Sequence, residues 1–572
     1  VILTEITKGT ASDLDGNYSI SNIPVGTYTV KVTFVGFSTI EQTVTISSGN
    51  NVLDFEMNED VGLLDEIIVS GVADATPRKL LTVSVAKVDA ERLNQVPATS
   101  VSSSLAAKVS GVTIRNTSGT PGGESNILLR GDNNLNVSSQ PLILVDGVII
   151  EGNLADINVD DIQSIEVVKG AAASSLYGSR AGNGVIVVQT KRGDGIENGV
   201  IDITVRNELG VQQLERTIDL AEAHYFKLAS DWEDYIGQYT KYEGVTYPSD
   251  YAGGYDNRVE GSRAVDDDRY MDNPYAINNN IQDQFFQNGT NLTNYVSVAT
   301  RIDKINVFGS FENNTQEGII PDTDGFNRQN FRVNADYQIY DWLRLSTSNL
   351  FINTSSEFPG SGGGIFFNLV LAEPDNNLYL QNPDGQPYYI RHNQWSNEQN
   401  PLYNTWKESR NENTKRQISN FNVLARPVDW IEYRGAYSFE NESYSYTSYT
   451  PFDTWGLGTG GPAPPNDLGI TYTQGDLYKY FENTYSQILE HSLSFRQSFG
   501  IVDWKSTVKY SWENLDYEFF DAQGIDFAII NTPSLNAFPS DRIFASSGVE
   551  SIQSQNIYAT TYFNIDDTYI VD

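Results

Sequence analysis

Phe331-Arg332-Val333-Asn334-Ala335-Asp336-Tyr337-Gln338-Ile339 alternates strictly, with apolar side chains at the odd positions and Arg332, Asn334, Asp336 and Gln338 between them. Side chains of a β-strand point to opposite faces with period two, so one face of this segment is apolar and the other meets water or a polar lumen. The plan recurs. Ile431, Tyr433, Gly435, Tyr437 and Phe439 oppose Glu432, Arg434, Ala436, Ser438 and Glu440. Val502, Trp504, Ser506, Val508, Tyr510 and Trp512 oppose Asp503, Lys505, Thr507, Lys509, Ser511 and Glu513.

The connections between such segments alternate in length. Tight turns lie near Asp303, Tyr340-Asp341, Val428-Asp429, 500–503 and Asp566-Asp567, whereas 354–413, 441–486 and 514–551 read as long loops. Every short turn at one end is the habit of a barrel threaded through an outer membrane. Trp342, Trp430 and Trp504 each follow a turn aspartate, which predicts an aromatic ring at one membrane interface, where indole combines an apolar body with a polar N–H. From Gly199 to Asn564 about ten strands are expected, with another starting near Tyr569. Ten strands would not enclose the long segment upstream, and plugged lumens belong to barrels of about 22 strands. The expected fold is therefore mainly β: a small N-terminal β-sandwich, an α/β plug, and roughly the first half of a large antiparallel transmembrane barrel.

Upstream, residues 1–58 read as the sandwich: Asp15-Gly16-Asn17 and Pro24-Val25-Gly26 make turns, and 28–34 alternate. Asp13-x-Asp15 and Asp322-Thr-Asp324-Gly325 lack the residues a calcium loop needs at its sixth or twelfth position, and read as hairpin turns. Residues 59–79 form a linker holding Leu64-Asp65-Glu66-Ile67-Ile68-Val69-Ser70-Gly71, which is either the last strand of the first domain or a segment that binds a partner by adding a strand to its sheet. Residues 80–195 form an α/β unit with β-like runs at 126–130, 141–145, 162–168 and 184–190, and 196–572 form the barrel part. The glycines near Lys169-Gly170 lack both phosphate-loop and dinucleotide spacing, so they read as tight turns.

Composition narrows the chemistry. The 572 residues carry 74 acidic and 37 basic side chains, a net charge of −37, and no dense Lys/Arg cluster, which argues against nucleic acid as a partner. Zero cysteine removes disulfides and thiolate sites. His224, His392 and His491 are far apart and read as isolated surface residues, so neither a metal nor another cofactor is expected. No run of about 18 apolar residues is present, and Tyr 33, Phe 26 and Gly 46 favour strands and turns. A glycosidase would need two flanking carboxylates, and so many acids nominate no pair.

Several stretches carry a resemblance. Residues 16–37, GNYSISNIPVGTYTVKVTFVGF, are similar to the carboxypeptidase regulatory-like domain, with the family's opening part missing before Val1. Residues 128–148, LLRGDNNLNVSSQPLILVDGV, and 158–193, NVDDIQSIEVVKGAAASSLYGSRAGNGVIVVQTKRG, resemble the plug of the SusC/RagA-like TonB-dependent outer-membrane transporters of the Bacteroidota. LLDEIIVSGVA at 63–73 is similar to that family's TonB box, departing after Val69, and residues 316–351 resemble an early barrel hairpin.

The resemblance implies an outer-membrane importer without catalysis. TonB would pair with Asp65, Glu66, Ile67, Ile68 and Val69 and draw the plug aside, and a SusD-like lipoprotein would cover a glycan or oligopeptide substrate. Outer-membrane lipid would surround the wall, and transporter–lipoprotein pairs would form a dimer. Arg130, Gly131, Asp146, Gly147, Lys169, Gly170, Gly178 and Arg180 fall in plug motifs with a structural role, Arg130 and Arg180 as ion-pair partners of the wall. Tyr388, Tyr389, Trp395, Trp406 and Trp455 are the loop aromatics available to stack on substrate or lid. A surface adhesin or carbohydrate-binding β-protein without transport is the alternative.

Overall fold

The computed structural model describes residues 2–3, 8–10, 12, 16, 18–34, 37–55, 67–68, 76–77, 85–95, 98, 100–116, 119–123, 125–129, 131, 140–150, 154–169, 181–224, 226–228, 263–265, 270, 273–274, 278–359, 362–374, 376–381, 385–388, 399–457, 470–530, 532–565 and 569–571. The first unit is one antiparallel sheet of β1 (Ile2–Leu3), β2 (Lys8–Gly9), β3 (Gly26–Phe34) and β4 (Phe37–Ile46), in the order β2-β1-β3-β4. Alternation along β3 puts Tyr28, Val30 and Val32 on one face with Leu3, Val44 and Ile46. Ile20, Ile23, Leu53 and Phe55 cover that face from the loops, where a sandwich would place a second sheet. The Tyr28 hydroxyl donates to the Pro24 carbonyl at 3.0 Å, tying the turn to the strand.

Next, β5 (Ile67–Ile68) pairs antiparallel with β6 (Thr76–Pro77) and joins no strand of the first sheet. The α/β unit contains β7 (Val85–Asp89), β8 (Val112–Asn116), β9 (Ser125–Leu129), β10 (Leu142–Val145), β11 (Val148–Ile150), β12 (Ile162–Val168) and β13 (Val185–Thr190). Its central sheet runs β11-β10-β13-β12-β7, with β10 and β13 parallel, and β8–β9 form a separate hairpin. The helix Val101–Leu105 starts with a reciprocal Ser100–Ser103 capping box and buries Val101 and Leu105. Both faces of the sheet are covered, which is why 185–188 read as a continuous apolar run.

The remaining strands make one open, eleven-stranded antiparallel wall: β14 (Ile201–Gln212), then, after four short loop strands, β15 (Ala223–His224), β16 (Phe226–Leu228), β17 (Arg263–Val265) and β18 (Asn273–Pro274), the run β19 (Gly289–Ile302), β20 (Ile305–Gln316), β21 (Phe326–Tyr340), β22 (Leu343–Phe358), β23 (Ser409–Val428) and β24 (Ile431–Thr450). A loop pair, β25 (Thr454–Leu457) and β26 (Ile470–Thr473), intervenes before β27 (Asp476–Phe499), β28 (Val502–Ile525), β29 (Ile543–Ile565) and β30 (Tyr569–Val571). Two residues join β19 to β20, β21 to β22, β23 to β24 and β27 to β28, while the opposite end carries the longer connections.

Burial is inverted relative to a water-soluble sheet. On β21, Arg328, Asn330, Arg332, Asn334 and Asp336 are buried, while Phe331 is 47% exposed and Tyr337 44%. On β19, Asn291, Thr293 and Ser297 are buried opposite exposed Leu292, Val296 and Val298. A polar face turned inward and an apolar face turned outward is the pattern of a barrel wall in lipid. No helix among the described residues is long and apolar enough to cross a membrane.

The strands run further than the sequence suggests. β27 and β28 have 24 residues each, so much of 441–486 and 514–551, expected as loop, is strand. The outward face explains where the bilayer ends. On β24 it is apolar from Ile431 to Phe439, then polar at Asn441, Ser443, Ser445 and Thr447. That apolar stretch is about 27 Å of strand, or roughly 20 Å of membrane at a tilt of about 40°, near the expected band. Beyond it the ladder simply continues, because its backbone hydrogen bonds do not depend on lipid.

The same edge is marked by rings. Phe311 faces Phe331 and Phe331 faces Phe351 in successive pairs. Phe439, Tyr485 and Trp512 are outward aromatics on β24, β27 and β28, the latter two each within about two residues of the Phe439–Gln487 pair: Tyr485 pairs with Asn441 and Trp512 with Leu489. At the short-turn edge Trp342 stacks on Tyr340 with centroids 5.6 Å apart and Trp430 on Phe495 at 6.4 Å. These two occupy equivalent positions: the Trp342 carbonyl accepts from Arg426 N and that of Trp430 from Arg496 N. Trp504 instead sits within β28 after a Gly500-Ile501 turn, three residues further along than the other two.

Candidate functional site

The α/β unit lies against the inward face of the wall, and its core cluster extends to Leu350, Ile352 and Ile418 of β22 and β23. Around that apolar contact the two parts are joined by charge. The inward row of β21 supplies most of it because alternate residues of one strand reach the same side. Arg332, 1% exposed, lies 3.4 Å from Asp146 and 3.2 Å from Asp161. Arg328 forms a two-pronged pair with Glu312 of β20, at 3.1 and 2.9 Å, and also donates to the Ala155 carbonyl. Asn334 donates to Thr190 Oγ1 at 2.8 Å and to the Lys191 carbonyl at 2.7 Å.

Neighbouring strands add further ties. Arg416 of β23 reaches Asp156 at 2.5 Å while pairing with Glu440 at 3.2 Å and with Glu442. Tyr295 donates to Asp161 at 3.1 Å, and Asn330 to the Asp156 carbonyl at 3.0 Å. In the reverse sense Arg192 pairs with Asp336 of the wall at 2.9 Å. Arg206 of β14 pairs with Asp160 at 2.8 Å.

Asp146 is the centre of this network. Asp146 and Gly147 form the turn between β10 and β11 with φ of +50° and +90°, the left-handed pair that a two-residue hairpin requires. The turn aims the carboxylate at Thr190, whose N–H and hydroxyl donate at 3.0 and 2.6 Å, and at the Ser348 hydroxyl, which donates at 2.6 Å. Asn420 donates to the Asp146 carbonyl at 2.5 Å, and a Cβ on Gly147 would meet that amide at 3.4 Å. Burial alone would raise the Asp146 carboxyl, but Arg192, Arg332 and the two hydroxyls outweigh it and hold the group below its ordinary range. Burial wins at Asp160, which rises despite Arg206 and Lys191.

Of the residues singled out from sequence, Asp146 and Gly147 stand at this contact. Lys169 donates to the Ser110 carbonyl at 2.5 Å, and Gly131 is exposed with φ +108°. Arg130, Gly170, Gly178 and Arg180 lie outside the described residues, as do Asp65, Glu66 and Val69. Ile67 and Ile68 are the strand paired with Thr76–Pro77. The ion pairs across the contact that the described residues make come largely from arginines of the wall, which sequence reading did not nominate. Their signal was Arg328, Arg332 and Arg416 on inward faces of a strongly acidic chain.

At the long-loop end, Tyr388 and Trp406 come together, with centroids 6.3 Å apart, and the Tyr388 hydroxyl donates to Asp322 at 3.0 Å. Burial and that carboxylate push the Tyr388 hydroxyl up to about 12. Tyr389 and Trp395 lie outside the described residues, and Trp455 belongs to β25. The histidine expectation needs correcting. His224 is buried in β15, which pairs with β18, whereas His491 faces outward and shares a 2.7 Å hydrogen bond with the Tyr433 hydroxyl; His392 is outside the described residues. Among the described residues no group of His, Asp and Glu is arranged to hold a metal.

Comparisons with known proteins agree with this geometry. Residues 77–185 match the family model of the TonB-dependent receptor plug domain, and 1–69 that of the CarboxypepD_reg-like domain. The chain is 29% identical to TonB-dependent receptor P26 of Formosa agariphila over 67% of its own length and 35% of that protein's. It is 27% identical to TonB-dependent receptor SusC of Bacteroides thetaiotaomicron over 69% and 36%. The chain thus spans well under half the length of these relatives. Among solved structures, the RagAB peptide importer in its open-open state superposes with a TM-score of 0.66 at 18% identity, over 87% of this chain and 55% of that one. The closed-closed state gives 0.62 at 19%, over 85% and 54%. The relatives are named as receptors, and the chain, with its plug-like unit set against a β-wall, is similar to TonB-dependent receptors, SusC among them, in sequence and to the RagAB importer in fold.

Proposed function

We propose that the protein is an active importer that carries a nutrient, glycan or oligopeptide, across the outer membrane together with a SusD-like surface lipoprotein. The observation that supports this reading best is the way the plug is held. Its charged contacts to the wall, Asp146 and Asp161 to Arg332 and Asp156 to Arg416, are groups that water can solvate once the domain shifts, so a pulling force can open the path without unfolding the wall. Asp65 to Val69 are the segment TonB would grasp by strand addition, 59–79 the linker, 1–58 the accessory domain, 80–195 the plug and 196–572 half of a 22-strand barrel. Gly131, Lys169, Gly170 and Gly178 serve the plug's own structure and Arg130 and Arg180 pair with the wall; Tyr388, Tyr389, Trp395, Trp406 and Trp455 face substrate or lid; and Trp342, Trp430 and Trp504 lie in the inner lipid interface. Transporter–lipoprotein pairs would associate as dimers.

Deleting residues 65–69 should abolish uptake of labelled nutrient by cells while leaving surface binding intact. Uptake at the wild-type rate after that deletion would refute energy coupling through this segment.

A further inference from the structure

Above the membrane band the wall inverts its own pattern. On β24, β27 and β28 outward positions become polar at Ser443, Ser445, Asn483, Asn514 and Glu518, with the Phe481–Phe520 pair as an apolar exception, while the inward positions become aromatic: Tyr444, Tyr446, Tyr478, Tyr480, Tyr517 and Phe519. Glu412 fixes the side, since it pairs across β23–β24 with Tyr446 in the row that includes plug-facing Arg416. Rings that face a wet lumen gain nothing from lipid, so the outer-wall explanation of aromatics does not cover them.

The rings form one sheet of contacts. Tyr444 meets Tyr480 at 6.0 Å, Tyr446 meets Tyr478 at 6.0 Å, Tyr480 stacks on Phe519 at 6.2 Å, and Phe519 meets Tyr517 at 6.0 Å. Glu482 organises the hydroxyls, accepting from Tyr480 at 2.6 Å and Tyr517 at 3.1 Å. Gly548 makes the seat: it pairs with Phe519, and a Cβ there would meet the ring at 2.5 Å. The charge of this face is net negative. Inward positions above the band on β23, β24 and β27–β29 carry Glu412, Glu442, Asp476, Glu482, Asp521 and Glu550 against Arg410 and Arg416, each of which is already paired with a carboxylate.

We infer that this inner face is a binding subsite for an uncharged oligosaccharide and that it turns away polyanionic ones. Flat rings pack against the C–H faces of pyranoses, and tyrosine hydroxyls and carboxylates exchange hydrogen bonds with ligand hydroxyls. An anionic chain would meet an excess of carboxylates, the nearby Arg410 and Arg416 being already paired with carboxylates of the protein. The inference rests on the importer reading for its purpose, but not for its test.

The test is calorimetric titration of the purified full chain in detergent with neutral gluco-, manno- and xylo-hexaoses, an oligogalacturonate hexamer, and a neutral and a basic hexapeptide. At least one neutral hexaose should bind at least about tenfold more tightly than the galacturonate. Tyr478→Ala with Tyr480→Ala should weaken it by about tenfold or more, and Gly548→Ala, which displaces Phe519, by about threefold. Should the double variant fail to fold, Tyr480→Phe must still weaken neutral binding and Glu482→Gln must still strengthen galacturonate binding. No neutral hexaose binding below about 1 mM, indifference to these substitutions, or preferred binding of the galacturonate or a peptide would overturn the assignment. Loss of uptake on deleting 65–69 is scored separately, so subsite and importer readings fail independently.

Discussion

Replacing Arg332 with leucine removes the one guanidinium shared by Asp146 and Asp161, both of which belong to the plug and have almost completely buried carboxylates. Arg332 is 1% exposed, so water does not replace it without the contact opening. Removing one partner from a buried ionic cluster costs about 3–5 kcal/mol, mostly through the carboxylates left behind. Asp146 keeps Thr190, Ser348 and Arg192 nearby, which places the expected loss at the lower end, about 3 kcal/mol. With a urea slope of about 1.5 kcal/mol/M for a unit of this size, the plug transition should move down by about 2 M. The assay is hydrogen exchange of the β10 and β13 amides against urea in detergent, with wall amides as the internal reference. Adding Asp161→Asn should recover at least about half of the loss, because the uncompensated charge is then gone. A shift below about 0.3 M, or equal loss of protection in the wall, would refute the view that Arg332 pins the plug.

Three further outcomes are expected. Because the folded state depresses the Asp146 carboxyl, its stabilising effect is complete above the ordinary aspartate range and is lost as pH falls through it, so plug protection at pH 3 should be weaker than at pH 7 and Asp146→Asn should flatten that dependence. On the lipid side, Ala335→Arg, midway along β21 between the Phe331 ring and the Tyr340 edge, should cost about 2–4 kcal/mol and reduce membrane assembly, measured by heat-modifiable migration, whereas Gln329→Arg, two residues beyond the belt, should be close to neutral. Gly193→Ala should lower folded yield sharply, since φ there is +78° and a Cβ would sit 2.8 Å from the Val307 carbonyl oxygen of β20.

The sidedness of the wall was legible in the sequence because period two needs no partner to be seen: Arg332 and Asn334 face inward and Phe331 and Val333 outward, as their alternation required. Turn positions were legible for the same local reason, Asp303, Asp341 and Asp429 marking two-residue connections. Strand ends were not, since at Asn441 the apolar and polar faces exchange chemistry while the backbone ladder runs on to Thr450. The Arg332–Asp146 contact was invisible because it joins residues 186 apart in the chain, and nothing near either residue announces the other. Trp504 illustrates a motif that misleads: Asp503-Trp504 repeats the Asp341-Trp342 dipeptide, yet the turn there is made by Gly500-Ile501.

The two-residue hairpins also say where this protein is free to vary. A single inserted residue at 303–304, 341–342, 429–430 or 500–501 would slip one strand by one position and exchange its lipid and lumen faces along the whole ladder. The opposite rim has no such register to protect, with 17 residues between β28 and β29 and longer excursions elsewhere. Changes in length and sequence should accumulate there, leaving the short-turn edge almost frozen.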